Sequence, residues 1–226
     1  MTALMTETEA LQALKDKGSL YAPEDGYHFK GTSGKHISGY CNIDPVLPFP
    51  SLLARMTEAI VANFKEEGVQ TVIVPATGGI PLSQWGPYHL QKMTGQEVLG
   101  VWADKAKPKG FVVERAGFAQ AIKGHRVLVL EDIINTMYSI KQVIDVAEQL
   151  GGEVVGVGSL VANRGVSAET LGVKKFFNLA TFAYDAWEEA DCELCAKKVP
   201  MVIDIGHGDE FAANHPDYPT RRALTD

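Results

Sequence analysis

The chain has 226 residues, 46% of them hydrophobic and 22% charged, with a formal net charge of −7. That length and apolar content suit one globular domain with some elaboration. The acidic balance excludes a non-specific nucleic-acid binder, which needs a basic face, but leaves room for a locally basic site for a small anion. Residues Met1 to Leu14 lack a basic start followed by an apolar run, so no secretory signal is read there. No segment reaches the roughly 18 apolar residues that a membrane span requires. Three cysteines fit a reducing, cytoplasmic setting.

Residues 1–50 are mixed in texture, with turn-rich stretches at Gly31–Gly39 and Pro45–Pro50. Residues 51–184 alternate strand-like and helix-like segments. Ser51–Glu66 reads as an amphipathic helix capped by Ser51 and ended near Gly68. The strand candidates are Thr71–Pro75, Val98–Trp102, Arg126–Leu130, Val154–Val161 and Lys175–Leu179. Pro81 fits the first turn of a helix after the first strand. Ile140, Val143, Ile144, Ala147 and Leu150 recur at helical spacing, and Gly151-Gly152 stop that helix. Residues 185–226 form an acidic tail carrying a Cys-x-x-Cys pair. Alternating strands and helices predict an α/β fold, with a central, mainly parallel sheet covered by helices on both faces. Residues 1–226 are read as a single domain.

In such sheets ligands bind beyond the carboxyl ends of the strands. Three loops are selected by that rule: after Pro75, after Trp102 and after Leu130. In the first, Ala76-Thr77-Gly78-Gly79 offers paired glycines whose amides can approach an anion, or simply a tight turn. The second carries Lys105, Lys107 and Lys109 around a proline and a glycine. It reads as a basic lid over a polyphosphate, or as a solvated surface loop. In the third, Glu131-Asp132 ends a strand whose apolar run makes an unpartnered acid pair costly. The pair suits sugar hydroxyls or a metal, with a capping role for the next helix as the plainer reading. Thr136 and Ser139 could supply such caps themselves.

Asn163-Arg164-Gly165 places an Arg at a further strand end, where it could grip a carboxylate or phosphate, or pair with Glu169. Ser33-Gly34-Lys35-His36 is by itself a turn, and His36 has no visible partner. Cys192 and Cys195 have zinc-like spacing, with Cys41, His207 and His215 as the other candidates, but fit no familiar finger. They are expected to be ordinary thiols.

Val127–Ser139 resembles the ribose-phosphate motif of the type I phosphoribosyltransferases: an apolar strand, two acids, two apolar residues, then a hydroxyl- and glycine-rich loop. Within that superfamily the chain most resembles the orotate phosphoribosyltransferases. The likeness extends over most of the chain, from about His28 to Pro200. It takes in Phe29, Ser33-Gly34-Lys35-His36, Tyr40, Pro75–Ile80, the lysine loop, Glu114–Phe118, Asn163-Arg164 and Cys192–Ala196 with Val199-Pro200. It implies the type I phosphoribosyltransferase fold, with a small hood from the N-terminal segment. It also implies transfer of a phosphoribosyl group from phosphoribosyl pyrophosphate to a nitrogenous base, orotate or a relative, with Mg²⁺ bound mainly through the ligand.

The resemblance assigns roles by position. Glu131 and Asp132 hold the ribose hydroxyls, with Asp132 close to the developing sugar cation. Asn135, Thr136, Met137, Tyr138 and Ser139 hold the 5′-phosphate. Thr77, Gly78 and Gly79 contact pyrophosphate. Lys105 and Lys109, with Lys107, form a mobile catalytic loop shared across a homodimer. Lys35 faces phosphates and Arg164 the base. Met137-Tyr138 stands where the motif has two glycines, and Asn163 where it has an acid. Those departures leave open another base, or a regulatory protein that binds phosphoribosyl pyrophosphate or a nucleotide without turnover.

Overall fold

The computed structural model describes residues 3–31, 33–135 and 137–223. The chain divides into two compact units, residues 1–17 with 43–182 and residues 18–42 with 183–226.

The first unit is built on a six-stranded sheet. Its strands are β1 (Thr71–Pro75), β2 (Leu99–Lys105), β3 (Phe111–Val112), β4 (Arg126–Ile134), β5 (Glu153–Ala162) and β6 (Phe176–Thr181), in the spatial order β6-β5-β4-β1-β2-β3. Every pairing is parallel except β2 with β3, which form a hairpin. The predicted mainly parallel α/β sheet is thus present. Parallel strands covered on both faces need continuous apolar runs, and Val72–Val74 and Val127–Leu130 are all fully buried. On one face, Ile140, Val143, Ile144 and Ala147 of α5 (Tyr138–Gln149) join Ile73, Val101, Val127 and Val129 in one cluster. Helices α2 (Pro50–Val61) and α3 (Leu82–Thr94) pack against each other, α3 also contacts β1, β2 and β4, and the short α4 (Phe118–Ile122) contacts β2.

Local expectations differ from the structure at three helix starts. Helix α2 begins one residue before Ser51, with Phe49 at the N-cap, Pro50 in the first turn and no side-chain cap. Pro50 supplies a pre-set φ and lacks the amide a cap would satisfy. Pro81 is itself the N-cap of α3. An unread helix, α1 (Glu7–Asp16), starts on a capping box in which Thr6 and Glu9 satisfy each other's backbone amides.

The second unit pairs Phe29–Lys30 and Ala186–Trp187 with His36–Ile37, all antiparallel, around a small cluster of Tyr21, Phe29, Ile37, Val202 and Ile205. Residues 201–223, whose role the sequence leaves open, contribute Met201–Val202, helix Gly208–Asn214 and Thr220–Arg221. Among the described residues, no helix is long and apolar enough to cross a membrane.

Candidate active site

Strand β1 delivers the Ala76–Ile80 loop to the carboxyl edge of the sheet. Ala76 N–H donates to Ala103 O at 2.9 Å and Ile80 N–H to Thr77 O at 3.1 Å, so the turn is tied at both ends. The Ala76–Thr77 peptide is cis. Both glycines are demanded by close approach rather than by flexibility. A Cβ on Gly79 would stand 2.6 Å from Pro75 O, and a Cβ on Gly78 would run into the Asp132 carboxylate. The Gly-Gly pair therefore joins the phosphate-loop candidate to the acid pair.

The acids do not end their strand, as the sequence reading has it. Strand β4 runs on to Ile134, because β5 continues to Ala162 and supplies partners for Glu131, Ile133 and Ile134. The pair thus sits on backbone pinned by a parallel ladder. Glu131 is 5% exposed, and its Oε1 accepts from Asp132 N–H at 3.2 Å. Burial pushes the Glu131 carboxyl well above the usual carboxylate range, and the neighbouring Asp132 charge pushes it further.

After β4, Asn135 is exposed and Thr136 lies outside the described residues. Met137 is the N-cap of α5 at φ 60°, ψ 0°, with no side-chain cap. The expectation that Thr136 and Ser139 cap this helix is not met by Ser139. The left-handed backbone at Met137 is what the motif's glycine would adopt freely. An L-residue there costs about 1–2 kcal/mol. Met137 offsets this by packing against the α5 cluster. We expect Met137→Gly to relieve the strain, lose that packing and cost about 0.5–1 kcal/mol of chain entropy. The net change in melting temperature should stay within about 4 °C.

Tyr138 is 46% exposed, and Lys109 Nζ sits 4.7 Å over its ring. The aromatic ring therefore meets the lysine loop and does not line the neighbouring cleft. That loop is the tip of the β2–β3 hairpin, closed by Ala106 N–H to Gly110 O at 2.9 Å. At its root Arg115 grips Asp104 through two bonds of 2.9 and 3.2 Å and lies 4.8 Å over the Trp102 ring.

These segments enclose a cleft of about 210 Å³. Thr77, Gly78, Lys105, Glu131, Asp132 and Ser139 all line it. Phe111 and Ile133 line it too and were not read as site residues. Phe111 had a signal in sequence, an aromatic residue directly after the loop glycine. Gly79, Asn135, Met137, Tyr138, Lys107 and Lys109 do not line the cleft. Arg164 follows β5 at the same sheet edge, its N–H donating to Asn163 Oδ1 at 2.7 Å. Its side chain is exposed, and among the described residues the anticipated pair with Glu169 does not form. Lys35 belongs to the second unit, where it pairs with Glu188 at 3.0 Å.

No protein-family model matches the chain. It is 37% identical over 175 residues to the orotate phosphoribosyltransferase of Desulforamulus reducens, an alignment covering 77% of this chain and 86% of that protein. The chain belongs to the orotate phosphoribosyltransferase family. The orotate phosphoribosyltransferase of Chlorobaculum parvum is 34% identical over 201 residues, 87% of this chain and 94% of the other. In fold, the crystal structure of the Aeropyrum pernix orotate phosphoribosyltransferase covers 76% of this chain and 92% of its own, with a TM-score of 0.56 at 23% identity. The resemblance read from Val127–Ser139 is thereby borne out at the level of family and fold. Within an orotate phosphoribosyltransferase, an acid pair against a Gly-Gly loop and a basic hairpin gives one cleft donors for phosphate and acceptors for hydroxyls.

Proposed function

We propose that this chain transfers the phosphoribosyl group of phosphoribosyl pyrophosphate to orotate, with release of pyrophosphate. The observation that carries the reading is the convergence of Glu131, Asp132, Thr77, Gly78 and Lys105 on one cleft in a chain of this family. Glu131 and Asp132 accept hydrogen bonds from the ribose hydroxyls. Asp132 places negative charge beside a sugar carbon that becomes cationic as its bond to pyrophosphate breaks. The Thr77–Gly79 loop holds pyrophosphate, and Lys105 and Lys109 stabilise the charge it carries away. The Asn135–Ser139 loop and the amino end of α5 take the 5′-phosphate. Arg164, which pairs with no carboxylate among the described residues, takes the carboxylate of orotate.

The donor set fits Mg²⁺ held mainly by the substrate. The cleft offers two carboxylates, and Mg²⁺ ordinarily takes one or two of them together with substrate phosphates and water. When bound, Mg²⁺ supplies charge neutralisation on the leaving pyrophosphate. A cytoplasmic homodimer sharing the lysine hairpin between subunits is part of the same proposal.

A panel of orotate, uracil, adenine and hypoxanthine, each with phosphoribosyl pyrophosphate and Mg²⁺, tests the base. We expect consumption of orotate with at least a tenfold preference over the others. Consumption of a purine instead would overturn the assignment of Arg164 and the base. Tight binding of phosphoribosyl pyrophosphate without turnover of any base would favour the regulatory reading.

A further inference from the structure

The second unit brings together four side chains that the proposed reaction does not use. His28, His36, Cys192 and Cys195 each direct one potential ligand atom to a common point, and these atoms all lie within 4.8 Å of one another. Both imidazoles are fully buried, Cys192 is 3% exposed and Cys195 is half-buried. Cys195 Sγ lies 3.1 Å from His36 Nδ1 and 3.4 Å from His28 Nε2. The thiols sit on one short helical turn, where Cys195 N–H donates to Cys192 Sγ at 3.4 Å. Of the candidates named from sequence, His207 instead pairs with Glu210, and His215 stacks on Phe211 and faces Glu189. Cys41 is buried on the Tyr40–Cys41 strand.

The outward-facing nitrogens carry the argument further. A ligating histidine ordinarily donates its other ring N–H to a backbone carbonyl or a carboxylate, which fixes the tautomer. His28 Nδ1 faces Pro200 O at 3.2 Å. His36 Nε2 faces Glu189 Oε2 at 3.8 Å, buried and without a hydrogen-bond partner, a small shift away from that arrangement. Each ring thus turns one nitrogen to an oxygen and the other to the thiols. Residues beyond Pro200 close the surroundings: Phe211 packs edge-on against His36 at 4.8 Å, and Tyr218 against His28 at 6.2 Å.

We propose that His28, His36, Cys192 and Cys195 bind one zinc ion in a closed structural site. Two thiolates and two imidazoles in a compact group are the donor set of tetrahedral Zn²⁺. With bonds of about 2.0–2.3 Å, such an ion holds its ligands roughly 3.3–3.8 Å apart, so closure by about 1 Å completes the site. Binding releases two thiol protons to solvent and leaves a site of zero net charge, suited to burial. Four protein ligands leave no open position for substrate, which makes the site structural rather than catalytic. Its effect is to tie the His28–His36 segment to the Cys192–Cys195 turn. The second unit, residues 18–42 with 183–226, is small, and units below roughly 80 residues commonly need such a staple.

The test uses the full chain, expressed without a polyhistidine tag in zinc-supplemented medium. Elemental analysis should find about one zinc per chain. Replacement by Co²⁺ should produce thiolate-to-metal charge transfer and the intense visible bands of a tetrahedral site. A strong chelator should lower the melting temperature by roughly 5 °C or more. Cys195→Ser should lose most of the zinc, while Cys41→Ser should keep it. Should Cys195→Ser fail to fold, the wild-type metal content and cobalt spectrum still decide. Wild-type protein with no stoichiometric zinc and two freely reactive thiols would overturn the proposal. So would a Cys192–Cys195 disulfide, or the weak spectrum of six-coordinate cobalt.

Discussion

Asp132→Asn is expected to lower kcat/KM for orotate by about 10²–10³-fold while leaving the fold intact. That range is typical for removing one preorganised charged contact to a transition state. The substitution keeps the shape of a side chain that packs against Gly78 and changes only its charge. The backbone around it is held by the β4–β5 ladder rather than by the carboxylate. Its melting temperature should therefore move by less than about 2–4 °C, the equivalent of roughly 1 kcal/mol in a chain of this size. Thermal melts and steady-state kinetics on the same preparation check both halves. A collapse in stability would mean that Asp132 serves the turn and not the substrate.

Glu131→Gln is expected to move stability and function in opposite directions. The Glu131 carboxyl lies inside the protein with Asp132 beside it, and its pKa is raised above the unfolded value. The sign follows from linkage. A carboxyl that binds its proton more tightly in the folded state favours folding most below the unfolded pKa. That advantage is lost as pH rises through the raised folded pKa. Between the two pKa values the ligand-free protein holds its proton at a growing cost, and above the folded one it keeps a buried charge. Glutamine is neutral at every pH, so Glu131→Gln should raise the melting temperature, by at least about 2 °C, and the gain should grow with pH. Phosphoribosyl pyrophosphate affinity should fall, since the amide puts an NH2 donor where the carboxylate has its second acceptor oxygen.

Ligand binding adds a further signature. Hydroxyl donors favour the ionised carboxylate, so binding to the wild type should release protons across the pH range in which the free carboxyl still holds its own. Titration calorimetry in buffers of different ionisation enthalpy would detect it, and Glu131→Gln should abolish it. A stability loss in the variant would show that the carboxylate is satisfied by the protein itself.

Much of the first unit is legible because its signals are local. Thr71–Pro75 was read with its observed bounds, since a fully buried parallel strand is a short apolar run closed by Pro and Gly. The α5 helix was legible from its apolar spacing and glycine stop, though its start was not, because Met137 occupies a left-handed position that its identity does not advertise. The acids were legible as a pair, but the extension of β4 past them was not. It depends on how far β5 runs, a non-local fact. The Thr6–Glu9 capping box stands in the sequence, but the mixed texture of the N-terminal residues hides the helix it opens.

The His28, His36, Cys192, Cys195 group shows the opposite case. Cys192 and Cys195 carry a zinc-like spacing, but nothing local marks His28 and His36 as their partners, and the cluster exists only because residues 18–42 and 183–226 fold into one unit. Lys35 is similar, since its partner Glu188 is far along the chain.

The most direct measurement is orotate consumption by wild-type protein and by Asp132→Asn, side by side, with phosphoribosyl pyrophosphate and Mg²⁺. The wild type should consume orotate and release one pyrophosphate for each orotate lost, and Asp132→Asn should be slower by about 10²–10³-fold. A folded wild type that leaves orotate untouched, or a variant as fast as the wild type, would contradict the assignment.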